Sequence, residues 1–275
     1  MEYLVSIILP VYNAEEYVDE CISNILVQTY RKFELIVIND GSTDNSMKII
    51  SSFKDERIKI IENNHNFIES LNLGIKAANG EFIARMDADD IMLPNRLETQ
   101  VKFMDTHPQI DICGSWAETF YAKKYVMKMP VGHKAIVSSL LLNNILIHPT
   151  IIMRVSSISK FPEYPNLYKA NYIYAEDYKL WTEMSEAGYR FANIPKVLLK
   201  YRLSQKQVTY TKRKEMFHIS SQIRLEYASY IMKMISDKES EMQHLFFLLN
   251  NLIRTEKIKL DSLPSIIYSI CVNYI

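Results

Sequence analysis

The alternation of short β-branched runs with stretches of helical spacing constrains this chain more than any other feature. Leu4–Leu9 reads Leu-Val-Ser-Ile-Ile-Leu and stops at Pro10. Apolar runs of that length, bounded by turn residues, form strands buried on both faces. Leu35–Ile38, Ile58–Ile61 and Glu81–Met86 repeat the pattern. Between them, residues 14–28, 43–53 and 67–78 carry helical spacing. On the first of these, Tyr17, Cys21, Ile25 and Gln28 share one side. Asn13 is its expected N-cap, with Glu15 and Glu16 at the positive helix end. Such alternation predicts an α/β fold, a mostly parallel sheet with helices on both faces. Ligands of such sheets bind beyond the carboxyl ends of the strands. Three polar segments fall there: Pro10–Asn13, Asn39–Ser42 and Asp87–Asp90.

After Pro94 the pattern changes. A helix is expected to about Thr106, a strand over 110–120, and a mixed segment over 138–154 holding His148-Pro149-Thr150. A helix over 175–187 and two short strands, at 190–191 and 197–201, follow. From Lys212 onward the chain reads as helical. With 275 residues and 48% apolar composition, the chain can bury its own core without disulfides. Lys plus Arg equals Asp plus Glu at 32 each, so no long-range field draws in nucleic acid. The basic stretch 196–213 is set apart from acids that concentrate earlier. Cys21, Cys113 and Cys271 lie far apart without metal-ligand spacing and read as unpaired thiols of a reducing compartment. No charged-then-apolar leader and no uncharged window of about twenty residues is visible. The expected location is the cytoplasm, including its membrane face.

Three acidic groups carry the chemistry. Asp87-Ala88-Asp89-Asp90 places three carboxylates in four residues at a strand end. They repel one another unless a cation neutralises them, and hard oxygen ligands suit Mg²⁺ or Mn²⁺. The plainer reading is a solvated acidic turn, with Asp89 or Asp90 capping the next helix. Asp40-Gly41-Ser42 follows a strand, where a carboxylate can accept the imide proton of uracil or bond a ribose hydroxyl. Here the plainer reading is a turn with an N-cap. Glu176-Asp177 enters a helix before Trp181, and paired carboxylates can raise one pKa and supply a base. Acids also simply favour helix N-termini.

Taken in order, Ser6-Ile7-Ile8-Leu9-Pro10-Val11-Tyr12-Asn13, Val37-Ile38-Asn39-Asp40-Gly41-Ser42-Thr43-Asp44, Met86-Asp87-Ala88-Asp89-Asp90 and Ala175-Glu176-Asp177 resemble the family 2 glycosyltransferases. These are inverting enzymes of the GT-A fold, a Rossmann-like sheet with flanking helices. The resemblance is dense over about residues 4–100 and thinner to about 210. His148-Pro149-Thr150 and Tyr201-Arg202 resemble the bacterial enzymes of capsule, lipopolysaccharide and exopolysaccharide synthesis. The resemblance implies a GT-A catalytic domain over 1–210, with a nucleotide-binding half at 1–106 and an acceptor-binding half at 107–210. A helical extension follows over 211–275. Pro10, Val11, Tyr12 and Asn13 would line the base pocket, and Asp40 would contact uracil. Asp87 would face ribose or metal, and Asp89 would bind the Mn²⁺ or Mg²⁺ that bridges the diphosphate of a UDP-sugar. Asp177 would be the general base with Glu176 beside it. The acceptor would be a saccharide or a lipid-linked saccharide.

Two departures qualify the likeness. Relatives place a His shortly after the Tyr-Arg pair, where Ser204 stands, which puts a third protein ligand in doubt. The Gln-x-x-Arg-Trp motif and spanning helices of processive synthases are missing, so one sugar is added at a time. Arg202, Lys206 and Lys212 are candidates for attracting pyrophosphate or anionic lipid. The 245–275 tail suits an interfacial amphipathic helix, a pairing with the catalytic domain, or a homodimer contact. Two other readings stand. A nucleotidyltransferase making a nucleotide-sugar would carry a Gly-rich phosphate loop where Pro10–Asn13 stands. A non-catalytic sugar- or nucleotide-binding module would not need intact acid pairs at 87/89 and 176/177.

Overall fold

Strands β1 (Val5–Val11), β2 (Phe33–Asn39) and β4 (Phe82–Arg85) are buried almost throughout, as continuous apolar runs require. In the computed structural model, which describes residues 2–204, 207–236, 253–254, 259, 262 and 264–268, they form the parallel half of one sheet. β3 (Ile58–Glu62) is its edge, half-exposed and paired with β2. Helices α1 (Val18–Leu26), α2 (Ser46–Ser52) and α3 (Phe67–Ala77) make the crossovers. Asn66 caps α3, its Oδ1 accepting from Glu69 N at 3.1 Å. Gly74 lets α3 sit directly on β1, because a Cβ there would lie 2.4 Å from Ile8.

The second half is mixed. β5 (Ile91–Met92), α4 (Arg96–Thr106), β6 (Ile112–Tyr121), β7 (Val126–Met127), α5 (His133–Ser139), β8 (Ile152–Arg154), α6 (Val155–Ile158), α7 (Glu176–Glu186) and β9 (Phe191–Leu203) complete it, with 3₁₀ turns at His148–Thr150 and Ala170–Tyr172. Helices α8 (Val208–Thr211) and α9 (Arg213–Ser236) follow. The sheet order is β3-β2-β1-β4-β8-β6-β9-β5, with β7 on β6. β8 runs antiparallel to both β4 and β6, so one ladder carries the sheet from the first half into the second. Two apolar cores lie on its faces. One gathers Ile8, Ile36, Leu71, Trp181 and Tyr227, the other Leu9, Val37, Ile22, Leu97 and Leu199. α9 joins the first, and Lys179 Nζ of α7 lies 2.7 Å from Glu226 Oε2.

Three expectations change. Pro10 does not end β1. Met86 N donates to Ile8 O, so residue 10 also faces the β4 side, where pairing has already stopped. The missing proline N–H therefore costs no ladder bond. Asn13 is not an N-cap. Its φ is 46°, α1 starts after Tyr17, and its side chain serves a neighbouring loop. The two short strands at 190–201 are one strand. Ile194 pairs with Ser115 and Val197 with Trp116, so exposed Pro195 and Lys196 bulge out of a ladder that continues on either side. The Cys21 and Cys113 thiols are buried and unpaired. Cys271 and Lys206 lie outside the described residues, as does most of the 245–275 tail. No described helix is long and apolar enough to cross a membrane.

Candidate active site

The tips of β1 and β2 are stitched together by side chains. Asn13 Oδ1 accepts from Thr43 N at 2.8 Å, and Ser42 Oγ accepts from Asn13 N at 3.1 Å. Asp44 Oδ2 accepts from Glu15 N, and Glu15 Oε2 accepts from Asn45 N and Nδ2. These bonds fix the Pro10–Asn13 segment against the 40–46 loop. Asp40 is only 3% exposed. Its Oδ1 accepts three bonds, from Asn63 Nδ2, Asn66 N and Ser70 Oγ, at 2.7–2.9 Å. The carboxylate is thereby oriented, and Oδ2 carries none of these bonds. Gly41 (φ 73°) passes so close to the next loop that a Cβ would meet His65 N at 3.2 Å. Tyr12, half exposed, packs against the His65 ring, tilted by 32° with centroids 4.1 Å apart. His65 itself holds φ 50°, a left-handed conformation uncommon for a residue with a side chain.

The neighbouring tip, after β4, carries the acidic run. Carboxylate oxygens of Asp87, Asp89 and Asp90 lie within 4.8 Å of one another. Asp87 is ion-paired with the buried Arg85 guanidinium. Asp89 Oδ2 accepts from Gln207 Nε2 at 3.0 Å. Asp90 Oδ1 accepts from Arg202 N at 2.8 Å, while its buried Oδ2 has no partner. Burial, then the charge of Asp87, raises the pKa of both Asp89 and Asp90, far more for Asp90. Arg85 alone does not neutralise three acids. The donor set, hard oxygens with one orphaned, fits a divalent cation of the Mg²⁺ or Mn²⁺ kind. Asp90 is no cap, since α4 begins after Asn95. It ties β9 to the acidic turn.

Arg202 is held rather than free. Its Nε donates to Asp89 O at 2.7 Å, its NH2 meets Glu20 at 3.1 Å, and Tyr17 and Phe120 rings flank it at 4.5 Å. Ser204 N donates to Gln207 Oε1. Gln207, three residues on, is thus the side chain that reaches Asp89.

Glu176 and Asp177 open α7. Asp177 Oδ2 accepts from Asn144 Nδ2 and Oδ1 from Tyr178 N, both at 2.7 Å. These bonds favour its charged form, although burial still raises its pKa. Glu176 is buried, its Oε2 has no partner, and burial followed by Asp177's charge pushes its pKa up to about 8. The pair therefore keeps its proton on Glu176 and its charge on Asp177. Arg85's charge acts on Asp89, Asp90, Glu176 and Asp177 alike. Tyr168, its pKa raised by burial, feels the charges of Arg85, Asp177, Glu176 and Asp87 together. His148 Nε2 bonds Tyr168 Oη at 2.8 Å, and burial, then Arg85, pushes its pKa well below 6.5. It is a neutral supporting group. Arg85, Asn144, Tyr168 and Gln207 were not singled out from sequence. Only Arg85 carries a signal, a cation inside the otherwise apolar run Phe82-Ile83-Ala84-Arg85-Met86.

Glu176 makes folding pH-dependent. Between its ordinary 4.5 and about 8, the folded chain keeps a proton that the unfolded chain has released. Stability falls as pH rises through that window and levels off above it, by on the order of a few kcal/mol. Glu176→Gln cannot ionise. Its thermal midpoint is expected to match wild type near pH 5 and exceed it by several degrees at pH 9. An unchanged pH slope in the variant would place the proton elsewhere.

The model of the Glycosyl transferase family 2 matches residues 6–160. An uncharacterised glycosyltransferase of Haemophilus influenzae is 38% identical over 247 residues, covering 84% of this chain and 75% of its own. Escherichia coli WfgD, named a UDP-Glc:α-D-GlcNAc-diphosphoundecaprenol β-1,3-glucosyltransferase, is 33% identical over 78% of this chain and 83% of its own. Among solved structures, residues 1–349 of Staphylococcus aureus TarS with UDP superpose with a TM-score of 0.64 at 20% identity. That match spans 95% of this chain and 77% of TarS 1–349, a likeness of fold.

Proposed function

The chain belongs to family 2 of the glycosyltransferases, and from that premise we propose that it moves one sugar from a UDP-sugar to a hydroxyl of a lipid-linked saccharide, with inversion. The observation that carries this reading is that the charge of one buried guanidinium, Arg85, acts on two acid groups, the under-neutralised Asp87, Asp89 and Asp90 and the Asp177–Glu176 pair. The relative WfgD, by its name, uses a UDP-glucose donor and a diphosphoundecaprenol-linked acceptor, and the match spans most of that protein.

In this reading Tyr12 offers a ring face to the base, within a pocket lined by Pro10, Val11 and Asn13. Asp40 Oδ2 accepts the uracil N3 proton, since its other oxygen is occupied. Asp87 and Asp89 would hold Mg²⁺ or Mn²⁺, and Asp87 would also face the ribose. A cation held there would supply Lewis-acid stabilisation of the charge that builds on the departing diphosphate. Asp177 takes the proton of the acceptor hydroxyl as that oxygen attacks the anomeric carbon from the face opposite the leaving group. A new glycosidic bond forms as the carbon–phosphate-oxygen bond breaks, and the anomeric centre inverts. Glu176 stays neutral and keeps a second negative charge from competing for that proton. Asn144 holds Asp177 in position.

The test is a donor screen. The protein is incubated with UDP-glucose, UDP-galactose and their N-acetyl forms, with and without Mn²⁺, and UDP release is followed. Metal-dependent release from one of them is expected. Failure to bind or turn over any nucleotide-sugar defeats the proposal.

A further inference from the structure

We propose that the β6–β7 hairpin and the α8–α9 junction form a collar around the mouth of the site that docks on an anionic lipid bilayer. This rests on the lipid-linked acceptor proposed above and names the surface that would bring the enzyme to it.

Both segments are fastened to the site itself. Phe120 and Tyr121, where β6 ends, lie 4.5 and 5.9 Å from the Arg202 guanidinium that bonds Asp89 O. On the other side Gln207 donates to Asp89 Oδ2 just before α8. Lys212 Nζ, after α8, lies 5.8 Å over the Tyr174 ring, two residues before Glu176. The second segment therefore spans from the acidic turn to the base-bearing helix, and the hairpin begins beside the same turn.

What these segments expose is unusual. Tyr121 is 79% exposed, Tyr210 58% and Phe217 68%, with Tyr125, Val126 and Val208 also open. Of the thirteen large apolar side chains exposed among the described residues, these six fall within 121–126 and 208–217. Isolated exposed apolar groups are ordinary, but clusters mark a surface that meets something. The same segments carry Lys123, Lys124, Lys128, Lys212, Arg213 and Lys214. The segments themselves hold two acids, Glu118 and Glu215, each paired with one lysine at 3.4 Å, and Glu20, paired with Arg202, adjoins the start of the hairpin. In a chain with no net charge this is a strong local excess.

The chemistry selects the occupant. A second copy docking face to face would oppose like charges. Tyrosines with interspersed lysines suit a headgroup layer, where the ring sits at the boundary and the ammonium reaches the phosphates. Each basic side chain near an anionic surface adds to the attraction, within a Debye length of it. Docked this way, the mouth opens on the layer from which a lipid-linked saccharide projects.

The test uses the full chain and two vesicle types, phosphatidylcholine alone and phosphatidylcholine with phosphatidylglycerol, read by co-sedimentation without donor or acceptor. Wild type is expected to bind the anionic vesicles, to ignore the neutral ones, and to be released by salt. Lys123→Glu with Lys124→Glu is expected to lose at least about tenfold in vesicle partition. Tyr125→Ser with Tyr210→Ser is expected to lower partition onto the anionic vesicles at low salt while leaving its salt dependence unchanged. Both variants should keep the wild-type thermal midpoint and UDP affinity. No binding to anionic vesicles, or variants that bind as wild type does, would overturn the proposal. So would a concentration-dependent dimer that the same substitutions dissolve. Loss of UDP binding by wild type would instead defeat the functional reading and leave the vesicle result standing.

Discussion

Asp177→Asn is expected to lower kcat by about 10²–10⁴-fold, the usual cost of removing a general base, with donor affinity nearly unchanged. The amide keeps the shape and can still meet Tyr178 N through its oxygen, but it cannot take a proton. The selectivity follows from placement. Asp177 opens α7 and bonds Asn144, whereas the groups proposed to hold the nucleotide sit on the tips of β1, β2 and β4. The measurement is steady-state kinetics beside equilibrium binding of UDP-sugar. Full turnover in the variant would remove Asp177 from the role of base, and Glu176→Gln would then be examined for the same defect.

Asp89→Ala is expected to abolish metal-dependent donor binding and to lower turnover by about 10²–10³-fold or more, as loss of electrostatic stabilisation of a leaving group does. Its effect on folding should be small and of opposite sign. Burial and the neighbouring Asp87 already raise the Asp89 pKa, so deleting the carboxylate relieves repulsion. Asp90→Ala is the informative control. Asp90 Oδ1 accepts from Arg202 N and fixes β9 to the acidic turn, so its removal leaves that backbone N–H without its acceptor and is expected to cost thermal stability, offset in part by relief of the same repulsion. Binding titrations of UDP with and without Mn²⁺, run beside thermal midpoints, separate the two residues. If Asp89→Ala bound UDP-sugar as wild type does, with the same metal dependence, the acidic turn would not be the metal site.

Much of the parallel half is legible in sequence because β1, β2 and β4 are buried on both faces and read as apolar, largely β-branched runs. The second half is harder. β5 and β7 are two residues long and β8 three, too short for any periodicity to register. β9 carries Pro195, which reads as a break and is in fact a bulge. The three acid groups could be found because each follows a strand or opens a helix, and local spacing exposes them. Their supporting groups could not. Asn144 reaches Asp177 across 33 positions and Gln207 reaches Asp89 across 118. Such pairings come from topology, and no local pattern announces them. Asn13 illustrates the reverse error. It has the right chemistry for a helix cap, but its side chain is spent on Thr43 across 30 positions, a contact that exists only once β1 and β2 lie side by side.

The ladder that joins the two halves has a consequence for anyone wishing to exchange acceptor preferences between relatives. The seam is no tether of loose chain. Ala84 stands opposite Ile152, and Cys113 opposite the same residue from the other side. A chimera must reproduce that alignment at every graft point. A slip by a single position would turn Arg85 and the acids beyond it to the wrong side of the sheet. Hybrids joined in register inherit the placement of Arg85 and the acidic turn ready-made, while those spliced wherever a loop looks convenient lose it.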